Sequence, residues 1–90
     1  MLYMVIEKYK TAGAIEIYRL AKLQGRMMPE GLEYISSWVD NAFSRCYQHM
    51  KTENVKLFDR WILQWRDLVE FEVAPVQTSA EAKDKIAPRL

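Results

Sequence analysis

Residues 32–41, Leu32-Glu33-Tyr34-Ile35-Ser36-Ser37-Trp38-Val39-Asp40-Asn41, are followed by residues 44–51, Ser44-Arg45-Cys46-Tyr47-Gln48-His49-Met50-Lys51. Both runs alternate in side-chain character, as strands do when successive side chains point to opposite faces. Asp40 and Asn41 read as turn residues, so the pair is a hairpin between Val39 and Ser44. On either side the period becomes helical. In residues 12–24, Ala14, Ile17, Tyr18 and Ala21 form a stripe at i, i+3, i+4, i+7, with Glu16, Arg19 and Lys22 opposite. Ile15 and Leu23 fall outside it and leave room for a partner contact. In residues 55–66, Leu57, Phe58, Trp61, Ile62 and Trp65 make a wide apolar face, with Trp61 and Trp65 one turn apart.

Thr11 is a suitable N-cap for the first helix and Gly25 a suitable end; Thr52 or Asn54 suits the second. The outer segments, residues 2–9 and 68–76, alternate again. The order is therefore β-α-β-β-α-β, the ferredoxin-like or split βαβ arrangement. This α+β fold implies a four-stranded antiparallel sheet with two helices on one face. The domain is expected over residues 1–76. A polar tail, 77–90, opens on a capping box, Thr78-Ser79-Ala80-Glu81, that predicts a short helix to about Ile86.

Ninety residues make one domain. At that size folding buries roughly 60–68% of the unfolded chain's surface, a modest margin. The chain is nevertheless 50% apolar, with three Trp, five Tyr and three Phe, a surplus that points to self-association. A net charge of +1, without a basic cluster, leaves no footprint for nucleic acid. The strand 45–51 also lacks the glycine-and-aromatic consensus of RNA-recognition domains. The start has no basic n-region and no long apolar run, so neither a signal peptide nor a membrane span is expected. One cysteine, Cys46, excludes an intramolecular disulfide and suits a reducing, cytoplasmic setting.

Alternation sorts the strand residues into two sets. Leu2, Met4, Ile6, Ile35, Ser37, Val39, Cys46, Gln48, Met50, Val69, Phe71 and Val73 are expected beneath the helices. Tyr3, Val5, Glu7, Tyr34, Ser36, Trp38, Asp40, Arg45, Tyr47, His49, Glu70 and Glu72 are expected on the open face. Rings mixed with charges suit a dimer interface, so Tyr3, Tyr34, Trp38, Tyr47 and His49 are the interface candidates. Ser37 and Gln48 are polar on an otherwise dry face and call for partners, which a ligand or water can supply. With Trp61, and with Arg26 as anchor for an anion, they are the ligand-binding candidates.

Catalytic signals are weak. One His and one Cys cannot make a four-ligand zinc site, and no cofactor is expected. Cys46 and His49 stand three apart in a strand and point to opposite faces, so they form no local nucleophile and base. Glu70 and Glu72 share a face but read as solvated charges on an edge strand. No phosphate loop, nucleophile elbow or HExxH motif occurs.

The run Gly25-Arg26-Met27-Met28-Pro29-Glu30-Gly31-Leu32, then Tyr34, Ser37-Trp38-Val39-Asp40, Cys46-Tyr47-Gln48 and the Phe58, Trp61, Trp65 helix resembles a widespread bacterial family of short proteins carrying a domain of unknown function. The opening residues 1–7 and residues 68–73 fit too, so the likeness covers residues 1 to about 76. It implies a dimeric α+β barrel, two ferredoxin-like sheets packed face to face, and no assigned activity. The family usually has an aliphatic residue at the position of His49, which argues against a catalytic role there. More remotely, the architecture is similar to antibiotic-biosynthesis-type and haem-degrading monooxygenases. Trp38, His49 and Asn41 or Asn54 supply their residue types, but Trp38 and His49 face away from the helices. The expectation is a small homodimeric ligand-binding or interaction module, with a cofactor-independent monooxygenase-like enzyme as the alternative.

Overall fold

The structure, a computed structural model, describes residues 1–10 and 13–90. Thr11, the expected cap of the first helix, lies outside the described residues. The elements are β1 (Leu2–Tyr9), α1 (Gly13–Gln24), β2 (Glu33–Val39), β3 (Arg45–Lys51), α2 (Lys56–Trp65), β4 (Val69–Val76), α3 (Ser79–Ile86) and a closing 3₁₀ turn, Ala87–Arg89. The sheet order is β2-β3-β1-β4, antiparallel throughout, the ferredoxin-like arrangement. β2 and β4 are the edges.

Local chemistry sets the joints. Gly25 ends α1 with φ 67°, its N–H donating to the Ala21 carbonyl. Asn54 Oδ1 accepts from Lys56 N at the first residue of α2, and Thr52 Oγ1 accepts from Asn54 N in the turn before it. The N-cap position itself is taken by Val55, which has no side-chain cap. The Asp40 carboxylate accepts from the Ser44 hydroxyl and, at Oδ1, from the N–H groups of Arg45 and Ser44, which closes the β2–β3 hairpin and holds the Asp40 carboxyl below its ordinary pKa. Thr78 and Glu81 form the capping box of α3.

The core lies between the sheet and one side of α1 and α2. Phe58, Trp61 and Trp65 of α2 and Ile17 of α1 are buried against Tyr3, Val5, Met50 and Val69 of the sheet. Tyr3–Phe58, Phe58–Trp61 and Trp61–Phe71 meet edge to face with centroids 5.0, 6.5 and 5.2 Å apart, a geometry that adds to their area burial.

Two expected face assignments are corrected. In β1 the residues beneath the helices are Tyr3, Val5 and Glu7, opposite Met50, Gln48 and Cys46, while Leu2, Met4 and Ile6 lie on the open face. The reason is that the two alternating sets of β1 are almost equally apolar, Leu2, Met4 and Ile6 against Tyr3, Val5 and Tyr9, with one charge in each. In β2 the register shifts between Tyr34 and Ser36. The extra residue, Ile35, is 43% exposed, and Tyr34 opposes Met50 on the helix side. Tyr3 and Tyr34 therefore leave the open face, whereas Trp38, Tyr47 and His49 stand on it as expected.

Gly31 closes the loop into β2 with φ 94°, and a Cβ there would come within 3.0 Å of Leu57 Cδ1. The Leu57 tip can give way, so the backbone dominates the cost. Gly31→Ala is expected to destabilise by about 1–2 kcal/mol, read as a lower urea midpoint at unchanged m-value.

Candidate functional site

A cavity of about 110 Å³ opens between α1, α2 and the sheet. The sheet supplies Glu7, Tyr9, Ser37, Val39, Cys46 and Gln48, and the helices supply Ile17, Tyr18, Ala21, Trp61 and Trp65. Arg26 comes from the loop after α1. All four expected ligand-binding residues, Arg26, Ser37, Gln48 and Trp61, thus line one space.

Glu7 and Gln48 are the polar heart of the site, 7% and 5% exposed. They are diagonal neighbours, since Val5 faces Gln48 and Glu7 faces Cys46 across β1–β3. Gln48 Nε2 donates to Glu7 Oε2. Gln48 Oε1 has no partner, and among the described residues it is the buried side-chain polar atom in that position. Such a group carries a desolvation cost of about 1–3 kcal/mol. Burial raises the Glu7 pKa, with the Gln48 hydrogen bond and the Arg26 charge opposing it. The Cys46 thiol is pushed up to about 12, first by burial and then by the Glu7 charge, which makes it a poor nucleophile. Tyr9 is raised as well, chiefly by burial.

Arg26 is built into the rim. Its carbonyl accepts from both Trp61 Nε1, at 2.9 Å, and Trp65 Nε1, at 3.0 Å. This double clasp spans a loop in which Met27, a non-glycine residue, takes φ 57° at a cost of order 1 kcal/mol. The guanidinium stacks on Tyr34, 3.9 Å from the ring centroid, and Nη2 lies 3.4 Å from Ser37 Oγ. Tyr34 Oη and Ser37 Oγ are 2.7 Å apart, and this bond lowers the Tyr34 pKa. The bulge that takes Tyr34 off the open face thus makes it the platform for Arg26.

Glu7 is the site residue that the sequence reading misplaced. Each alternating set of β1 carries one charge, Glu7 in one and Lys8 in the other, so assigning charge to solvent could not decide between them. The register with β3 decides it.

On the opposite face, cross-strand rows run Trp38-Tyr47-Ile6-Glu72 and Ser36-His49-Met4-Ala74. They are flanked by a charged row, Arg45-Lys8-Glu70. Trp38 is 60% exposed. Cys46 and His49 lie on opposite sides of the sheet, as their spacing requires. Among the described residues no three His, Cys, Asp or Glu side chains gather as a metal-binding group. Nor is any helix among them long and apolar enough to cross a membrane.

These features define a ferredoxin-like α+β domain with a pocket between helices and sheet. The chain belongs to the family described as a domain of unknown function, DUF3303, whose match covers residues 1–90, the tail included. It is similar in structure to protein Atu4242 from Agrobacterium tumefaciens, with a TM-score of 0.52 and 14% identity over 88% of this chain and 96% of that one. At that identity the likeness speaks for the fold alone. No curated protein matches the chain.

The raised Glu7 pKa gives a stability prediction. A buried carboxyl holds its proton to higher pH than the ordinary value of 4.5. Its burial is therefore harmless below that value and destabilises the fold progressively as pH rises through the folded pKa. Glu7→Gln removes this loss. The variant's advantage over the natural chain is expected to be absent at about pH 4 and to grow as pH rises to neutrality. Urea unfolding of both chains across that range measures it.

Proposed function

We propose that the protein is a homodimeric ligand-binding module, acting in the cytoplasm, whose pocket beneath α1 takes a small organic molecule. The observation that carries the binding half is the buried polar pair Gln48 and Glu7 in the lining of a mostly apolar cavity, with the Gln48 carbonyl oxygen left without a protein partner. A site of this kind, mostly apolar with a few convergent polar groups, has the usual composition of a small-molecule pocket.

The occupant of the open face is a second copy of this chain. Two arguments support it. The band of Trp38, Tyr47, Ile6, His49 and Met4 is more apolar and aromatic than a solvated face needs. Next to it, the basic Lys8 and Arg45 stand beside the acidic Glu70 and Glu72, so both signs of charge that a twofold, self-complementary interface needs are present on one face. An interface of about 1,600 Å² would be ordinary for such a pair. The lone buried thiol suits a reducing compartment.

Native mass spectrometry of the protein as purified tests the reading. A dimer carrying a reproducible small excess mass supports both halves. A bare monomer at micromolar concentration overturns it.

A further inference from the structure

We propose that the ligand of this pocket is a compact zwitterion, an amino acid of about six non-hydrogen atoms, held with its ammonium at Gln48 and Glu7 and its carboxylate at Arg26. The inference rests on the binding reading above and deepens it.

Size comes first. The cavity measures about 110 Å³, below the roughly 150 Å³ that accommodates a benzene ring. Larger cofactors and nucleotides are thereby excluded from the enclosed part.

Polarity then sets the orientation. The buried end of the lining is rich in acceptors: the Glu7 carboxylate, to which Gln48 donates, and beside it Gln48 Oε1, which no protein group satisfies. A ligand group placed there must be a donor, and a cationic donor also offsets the penalty of burying the Glu7 charge. The mouth offers the opposite. Arg26 uses one edge on Ser37 and one face on Tyr34, and among the described residues no carboxylate pairs with it. The remaining guanidinium N–H groups fit a carboxylate.

The two ends are close. Ser37, which touches Arg26, is the cross-strand neighbour of Gln48, and such neighbours stand about 5 Å apart. That spacing suits a molecule whose two charges are separated by one or two carbons. Ile17, Ala21 and Trp65 supply apolar wall for a small side chain. An anion alone would meet the acceptors at the inner end. A cation alone would leave Arg26 unused. The zwitterion matches both ends without changing the net charge of the site.

The test follows the indole N–H signals of the three tryptophans by NMR while L-alanine, propionate or propylamine is added to the full chain. Alanine is expected to shift the Trp61 and Trp65 signals saturably, leave Trp38 unmoved, and bind about tenfold or more tighter than either single-charge probe. Its affinity is expected to rise with pH as Glu7 ionises. Glu7→Gln should erase the preference for alanine over propionate, and Arg26→Gln, at an exposed rim residue, the preference over propylamine. Propionate or propylamine binding as tightly as alanine overturns the zwitterion while leaving the pocket reading in place. If no probe moves any indole signal, the zwitterion is likewise overturned. In that case the pocket reading falls as well only if the native dimer carries no adduct.

Discussion

Trp61→Ala is expected to cost about 3–5 kcal/mol of unfolding free energy, a large share of what a domain of this size possesses. Trp61 is 2% exposed, meets Phe58 and Phe71 edge to face, and donates its indole N–H to the Arg26 carbonyl. Its removal opens a cavity and cuts one arm of the clasp. The thermal midpoint should fall by roughly 15 °C or more. The clasp itself is separable from the packing. Trp61→Phe and Trp65→Phe each keep a ring and leave the other indole on the Arg26 carbonyl, so each should be mild. The double variant leaves that carbonyl without either indole, and its cost should exceed the sum of the singles by about 1 kcal/mol. Additive costs within a few tenths of a kcal/mol would show that the shared carbonyl does not couple the two rings.

Trp38→Asp should leave the fold intact and dissociate the proposed dimer. Trp38 is exposed on the edge strand β2 and makes no part of the core, so its loss costs the monomer little. In the proposed dimer it is covered by the other copy, and twofold symmetry repeats each substitution. Losing an aromatic anchor at an interface costs about 2–4 kcal/mol, and an unpaired carboxylate adds to that. The dimer constant should weaken by about a hundredfold or more. Sedimentation of the two chains across concentration, with circular dichroism as the control for folding, measures it. Equal dimerisation by both chains would remove the sheet face from the interface.

The architecture was legible because the period changes four times along the six elements of the domain, and the segments break at turn or cap residues such as Gly25, Asp40 or Asn54. The placement of α2 was equally plain, since its apolar face is concentrated on Phe58, Trp61 and Trp65. The faces of β1 were not legible. Its two alternating sets are almost equally apolar with one charge in each, and only pairing with β3 sends Glu7 inward. Tyr34 was misplaced for another reason: a bulge costs one residue of register, and Ile35 carries no glycine or proline to announce it. Arg26, Ser37, Gln48 and Trp61 were identifiable one by one from their chemistry. Their convergence on one cavity required the register of β2 on β3 and the double hydrogen bond to the Arg26 carbonyl.

The inward turn of Glu7 is the point on which the site depends, and its carboxyl carbon reports it directly. An NMR pH titration of the ¹³C-labelled protein should place the Glu7 midpoint above the value of about 4.3 found for an exposed glutamate. It should move down again when L-alanine fills the pocket, because an ammonium beside the carboxylate favours its charged form. A midpoint at or below the exposed value, unchanged by ligand, would put Glu7 back on the open face and contradict the account.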